Sequence, residues 1–383
     1  MQTRKLYYED CHLQEFTGVV TGCEQAEKGY WITLDQTAFY PEGGGQACDL
    51  GTLGDAQVLD VRETGEMVRH LCDRPLAVNQ PVCGRIDWER RFDQMQQHTG
   101  EHIVSGILHR LLGAHNVGFH MGSDVTTIDF DVPVPQELLA QIEQEANEAV
   151  FSNLEVLCSY PEEAMLPQIP YRSKKALPWP VRIVEIPGYD ICACCGVHVA
   201  RTGEIGMIKL LSCIKFHEGV RMEMVCGKKA LSLMGRIYEQ NRLVSQAFSA
   251  KLLETGAAAQ KMNDALAAEK YRASGLERQL FDRMAEDYRD AGDVVHFAEG
   301  LQPAAVRELA DRIAQKCGGT AAVFSGDDEN GYQVCLVNKS GDVKALGQAM
   351  NAELCGRGGG KPGFHQGSLQ ATKDRIEAFF AGL

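Results

Sequence analysis

With 383 residues, 44% of them apolar and 23% charged, the chain has the balance of an ordinary globular protein and the length for two or three domains with separate cores. A net charge of −14 excludes a broadly basic nucleic-acid binder, although local basic patches occur. No run reaches the ~18 apolar residues of a membrane helix, and the charged stretch Met1–Leu13 is no signal peptide.

Residues 1–88 read as β-structure. Thr17–Val20, Tyr30–Leu34, Gln57–Val61, Met67–Leu71 and Val82–Ile86 are short apolar or alternating runs separated by Gly, Asp, Asn and Pro. That pattern predicts a small β-barrel or curled sheet. Phe39-Tyr40-Pro41-Glu42-Gly43-Gly44-Gly45-Gln46 interrupts it. Three successive glycines let a ligand approach the main chain closely. On these residues alone, a plain turn fits equally well.

Residues 89–229 read as α+β. A helix predicted over Phe92–Leu112 carries Gln96-Gln97-His98-Thr99-Gly100-Glu101-His102, with Ile103, Ile107, Leu108, Leu111 and Leu112 at amphipathic spacing. Positions four apart share a helix face, so His98 and His102 aim at one point. Cys194-Cys195-Gly196-Val197-His198 supplies a second pair at the same spacing. Either pair alone is ordinary. Together they predict a metal site of His98, His102, Cys194 and His198, since four N and S ligands complete a tetrahedron around zinc. The fourteen cysteines are otherwise scattered and read as reduced thiols of a cytoplasmic protein.

A second helix is expected over Pro135–Asn153, and strands over Thr126–Phe130, Val156–Cys158, Val181–Ile186, Met207–Ile214 and Arg221–Val225. The basic clusters Arg172-Ser173-Lys174-Lys175, Lys209 with Lys215, and Lys228-Lys229 form either a solvated face or a phosphate-contacting track.

Residues 230–290 are helix formers with apolar positions every three or four residues, predicted to form a hairpin or arm broken at Gly256. The stripe is too irregular for a long parallel coiled coil, but its exposed apolar side is compatible with a homodimer. Residues 291–383 read as an α/β unit: strands Val294–Phe297, Ala321–Phe324 and Gln333–Val337, with helices Pro303–Lys316, Val343–Leu354 and Lys373–Phe380. Within it, Arg357, Gly358, Gly359, Gly360 and Lys361 are expected in a loop that offers main-chain N–H groups and two cations to a phosphate. The spacing is neither that of a P-loop nor that of a dinucleotide fingerprint, so ATP binding is not expected.

In this order, FYPEGGGQ (39–46), QHTGEH (97–102) and CCGVH (194–198) resemble the editing domain of alanyl-tRNA synthetases. The GRGGGKPG stretch resembles the DHH-associated domain that closes those enzymes. Editing domain, helical arm and that tail are similar to the long form of the freestanding alanyl-tRNA editing proteins. The resemblance covers nearly the whole chain. It departs at Cys195-Gly196-Val197, where the family usually has Gly-Gly-Thr, with the ligand spacing kept. The barrel begins at residue 1 and leaves no room for the synthetase's activation domain.

The resemblance implies an α+β multidomain protein that hydrolyses, in trans, tRNA(Ala) mischarged with serine or glycine. It implies Zn2+ on His98, His102, Cys194 and His198, and contacts to the aminoacyl end from Gly43, Gly44, Gly45, Gln46 and Gln97. Thr99 either bonds the serine hydroxyl or faces away on the helix. Glu101 either orients a ligand or is solvated. Arg357 to Lys361 would contact tRNA outside the acceptor end. Four protein ligands make a closed zinc site, so either one is labile or a fifth position takes substrate and water. A threonyl-type editing deacylase and a non-catalytic tRNA- or RNA-binding adaptor with a structural zinc are the alternatives. A zinc peptidase fits least, because Thr99 rather than Glu follows the first histidine.

Overall fold

In a computed structural model, which describes residues 2–173 and 177–382, the chain divides into two units, Met1–Leu243 and Val244–Leu383. Lys174 and Lys175 of the first basic cluster lie outside the described residues. Among the described residues, no helix is long and apolar enough to cross a membrane.

The first unit opens with strands β1 (Arg4–Lys5), β2 (Glu15–Ala26), β3 (Gly29–Leu34), β4 (Gln36–Thr37), β5 (Gly51–Leu53), β6 (Ala56–Thr64), β7 (Met67–Cys72) and β8 (Pro81–Ile86). Strands β2, β3, β7, β6, β5 and β8 pair in that order and close into a barrel, while β1 and β4 form a short parallel pair. Alternation drives the closure: on β8, Val82, Gly84 and Ile86 point inward and their neighbours outward. Phe16, Val20, Ile32, Leu34, Leu53, Val58 and Val61 share that interior. The three-residue β5 was not among the predicted strands, being too short to register as a pattern.

Helix α1 (Trp88–Leu112) follows directly. It starts four residues before the predicted Phe92, because the Asp87 carboxylate caps it by accepting the Arg90 N–H at 3.2 Å. Gly113, at φ 66°, ends it. Every residue from Gln94 to Leu108 is buried, so the helix is not the half-exposed amphipathic element expected from its pattern. Its polar residues are matched inside: Gln97 donates to Cys226 O at 3.0 Å and accepts the Cys226 N–H at 2.9 Å.

Around α1 come β9 (Asn116–Met121), β10 (Thr126–Phe130), α2 (Leu139–Phe151), β11 (Leu157–Ser159), β12 (Ile183–Ile186), β13 (Asp190–Ala193), β14 (Ile208–Phe216) and β15 (Gly219–Cys226). One antiparallel sheet has the order β14-β15-β10-β9 and a second the order β11-β12-β13. Ile103, Val104, Ile107 and Leu108 pack with Ile142, Ala146, Ile128, Met222, Met224 and Val184, which closes one core around the helix. Helix α3 (Gly227–Ala247) leads out of this unit.

In the second unit, α4 (Thr255–Glu286) is followed by β16 (Gly292–Ala298), α5 (Pro303–Cys317), β17 (Gly318–Asp327), β18 (Gly331–Asn338), α6 (Lys344–Glu353), β19 (Arg357–Lys361), β20 (Phe364–Leu369) and α7 (Lys373–Ala381). The sheet order is β16-β17-β18-β20-β19, with β16 and β17 parallel across α5. Two expectations are corrected here. Gly256 lies inside the first turn of α4; the helices part earlier, where Ser249 takes φ 49°. The stretch Arg357 to Lys361 is no loop but the edge strand β19, laddered from Arg357↔Ser368 to Lys361↔Phe364. An available partner strand overrides glycine's poor strand preference.

One buried ion pair ties the barrel to α1. Arg91 and Asp49 have fully buried side chains, and the guanidinium grips the carboxylate through Nε (2.8 Å to Oδ1) and Nη2. Nη2 also donates to Ala38 O at 2.6 Å, and Asp49 accepts the Tyr40 N–H. Removing one partner strands the other charge in the core. Arg91→Met is therefore expected to cost about 3–5 kcal/mol in urea unfolding, and Asp49→Asn added to it to recover part of that loss. A destabilisation within the error of the measurement would contradict the role given to the pair.

Candidate metal centre

Four side chains from α1 and the loop after β13 meet at one point. The nitrogen or sulfur atoms of His98, His102, Cys194 and His198 all lie within 4.8 Å of one another, and His98 Nε2 is 3.5 Å from Cys194 Sγ. A metal ion bound tetrahedrally at ~2.0–2.3 Å spaces its N and S ligands by roughly 3.3–3.8 Å, the range in which the His98–Cys194 separation falls.

The remaining ring atoms decide which nitrogens face inward. His98 Nδ1 pairs with Gln46 Oε1 at 3.0 Å and His102 Nδ1 with Asp190 Oδ2 at 2.8 Å. Each leaves its Nε2 toward the cluster. His198 Nδ1 sits 3.3 Å from the Thr99 hydroxyl, and its Nε2 is buried with no hydrogen-bond partner among the described residues. A buried orphan nitrogen at the meeting point of two imidazoles and a thiol fits a metal ligand.

Supporting groups complete the centre. Arg172 grips Asp190 through Nε (2.7 Å) and Nη2 (2.8 Å), so the carboxylate behind His102 is itself held. Arg182 Nη1 donates to Cys194 O and Gly196 O, both at 2.9 Å, and pins the ligand loop. Gln46 Oε1 accepts a second bond, from Val197 N–H at 3.1 Å. A Cβ on Gly196 would stand 2.1 Å from His98 Cε1, so only glycine lets the ring lie there.

Charge in the cluster follows from burial and neighbours. Burial alone would raise the Cys194 thiol, but the His98 charge and hydrogen bonds from His102 and His198 hold it well below its ordinary range. Burial, joined by the His98 charge, pushes His198 down to about 3. His102 goes the other way: burial lowers it, yet the bonds to Asp190 and Cys194 outweigh that and keep it well above the ordinary value. The cluster thus favours the thiolate on Cys194 and the protonated ring on His102.

The centre opens onto a cavity of about 1370 Å³ lined by His98, His102, Cys194, Glu101, Gly44 and Gly45, among others. Gly44 (φ 62°) and Gly45 (φ 84°) form the tight turn closed by the Gly43–Gln46 bridge, and Phe119 leaves no space for a side chain on Gly45.

The other expected site residues divide. Gly43 sits at the turn's base, where its O accepts from Tyr40 Oη at 3.1 Å. Gln46 lies behind His98 rather than among the cavity's lining. Gln97 is corrected: it clips α1 to β15 and does not line the cavity. Thr99 is fully buried, donating to Met95 O at 2.8 Å and accepting Val199 N–H at 3.2 Å; it stands behind His198, outside the lining. Glu101 is buried in the cavity wall, so the solvated reading is wrong. The basic clusters are largely neutralised: Lys209 pairs with Glu143, Lys228 with Glu89 and Lys229 with Asp93. Arg357 to Lys361 are exposed in the other unit. Sequence reasoning missed Asp190, Arg182 and Asn116, and read Arg172 only as part of a basic cluster.

Three family models match the chain. These are tRNA synthetases class II (A) over residues 2–90, the threonyl and alanyl tRNA synthetase second additional domain over 181–223, and the DHHA1 domain over 292–382. The chain is 29% identical to the alanyl-tRNA editing protein Aarsd1 of Mus musculus, over 97% of this chain and 96% of that one. It is 28% identical to Aarsd1-B of Xenopus laevis, over 96% and 94%. It is also 35% identical to the alanine–tRNA ligase of Ignicoccus hospitalis over 64% of its own length, which spans only 28% of the ligase.

Two outcomes are expected. Asp190→Asn weakens the carboxylate behind His102 and should lower metal affinity about 10–100-fold in chelator competition. Metal loading of the metal-free protein should release a proton from His102, whose value is held well above the ordinary one, at any pH below that raised value. Since the His102 value is raised, the released proton should dwindle as pH climbs through that raised value. Indicator-dye titration reads it directly.

Proposed function

We propose that this chain, which belongs to the family of alanyl-tRNA editing proteins, hydrolyses the ester of tRNA(Ala) mischarged with serine or glycine. The observation that carries this reading is the shared cavity: three residues of the candidate metal centre and the Gly44–Gly45 turn line one space. An aminoacyl ester is already reactive, so the enzyme has chiefly to orient it, admit water and stabilise the developing oxyanion.

Zn2+ is the ion suited to the set His98, His102, Cys194 and His198. Bound there, it supplies a Lewis acid for the ester carbonyl or for water. The chain's own groups do the rest. Gln46, Asp190 and Thr99 hold the three imidazoles in the orientation that leaves Nε2 at the centre. The turn at Gly44 and Gly45 offers bare main chain to the acyl end. Tyr8, whose hydroxyl donates to Cys195 O at 2.6 Å, supports the ligand loop from the cavity side.

Thr99 acts here as a positioning residue, because its hydroxyl is engaged by Met95, Val199 and His198. In the second unit, the exposed strand Arg357 to Lys361 offers two cations and a bare glycine backbone, which supports contact with tRNA phosphates outside the acceptor end. Exposed Leu266, Leu276 and Leu280 on α4 support the homodimer expected from the sequence. The described cysteines are free thiols, which supports a cytoplasmic location. A threonyl-type deacylase is the second reading, because one matching domain model covers threonyl and alanyl enzymes alike.

Purified protein is expected to deacylate seryl- and glycyl-tRNA(Ala) far faster than alanyl-tRNA(Ala), and to lose that activity with a chelator. Equal activity on seryl-tRNA(Thr) would favour the threonyl reading, and no activity on any of them the adaptor. Thr99→Val should slow all cleaved esters by one common factor, about tenfold, without changing the preference among them. A loss confined to seryl-tRNA would return Thr99 to the role of hydroxyl reader.

A further inference from the structure

Next to the metal centre, the cavity wall holds a pair of buried hydrogen-bond acceptors. Glu101 is 5% exposed, and its Oε1 accepts from both Ser105 Oγ and Asn116 Nδ2. Its Oε2 has, among the described residues, only the His102 ring within ion-pair range, at 4.0 Å to Nε2. That ring is already committed, through Nδ1 to Asp190 and through Nε2 to the metal centre. The nearby cation Arg172 is spent on both oxygens of Asp190.

Asn116, also 5% exposed, donates its amide N–H to Glu101 and leaves Oδ1 buried without a partner among the described residues. The amide cannot be turned to cure this, since turning it would set its oxygen against the carboxylate. Both residues line the cavity. A carboxylate oxygen and an orphan amide oxygen at one place ask for a ligand that only donates, and the carboxylate charge asks for a cation.

We propose that Glu101 and Asn116 form the subsite for the α-ammonium group of the aminoacyl ester. The inference rests on the deacylase reading above and deepens it. An aminoacyl ester carries one cation near its scissile bond, with three N–H donors to place. Seating it here orients the ester relative to the metal centre without touching the side chain. The subsite therefore serves serine and glycine equally, and it rejects acyl esters that lack a free amine.

The test uses the full-length, metal-loaded protein and two esters: seryl-tRNA(Ala), and its 2-hydroxy analogue in which a hydroxyl replaces the ammonium. Wild type should cleave the amino ester with a kcat/KM about ten- to a hundredfold above the hydroxy ester. Glu101→Gln should bring the amino ester down to the level of the hydroxy ester, with metal content retained. Asn116→Ser, which removes the orphan oxygen, should shrink the same preference to a smaller degree. Equal cleavage of both esters by wild type overturns the subsite alone. So does a variant that slows both esters equally or loses its metal, because Glu101 would then be serving the centre. Wild type that cleaves neither ester overturns the deacylase reading and the subsite with it.

Discussion

The site depends first on a charge pair that water never sees. Arg91 and Asp49 are buried at the joint between barrel and helix, and the same guanidinium holds Ala38 while the same carboxylate holds Tyr40. Those backbone bonds clamp both ends of the segment that contains the glycine turn. Arg91 and His98 are seven residues apart on α1, nearly two full turns, so they project from one face about 10 Å apart along the axis. Anchoring Arg91 to the barrel therefore delivers His98 to the turn. A helix is stiff enough to carry that placement, whereas a loop of equal length would not be.

Orientation at the centre is handled by groups that never reach the cavity. Each imidazole has two nitrogens, and a bond to one settles which way the other faces. Gln46, Asp190 and Thr99 supply those bonds from a loop, a strand and the helix itself. Arg172 in turn keeps Asp190 ionised: burial alone would raise that carboxyl, and the bonds from His102 and Arg172 hold it below its usual range. The four side chains are thus held in place by the chain's own groups.

The convergence of His98, His102, Cys194 and His198 was legible because helical periodicity and a repeated spacing both act through local geometry. The same periodicity explains where the reading of neighbours failed. Residues adjacent to a ligand on a helix point about 100° away from it, which sends Gln97 toward β15 and Thr99 behind His198. Glu101, three positions on from His98, returns to the cavity side. Asp190, Arg182 and Asn116 were not legible, since each acts on partners more than ten residues away that only the tertiary fold brings near. The glycines at 358–360 misled for the same reason: their strand exists only because β20 lies beside it. The barrel was legible strand by strand, except where β5 is three residues long.

A single oxygen, Gln46 Oε1, accepts from both the His98 ring and the Val197 backbone, and Gln46 also closes the glycine turn. Three segments far apart in sequence therefore share one acceptor, and their order is thermodynamically linked. By reciprocity, if order at one of them favours order at another, the coupling has the same size in the reverse direction. On the proposed function, an acyl group on the turn and an ion at the centre would then change each other's affinity by one common factor. Metal supply would consequently register in substrate binding as well as in rate.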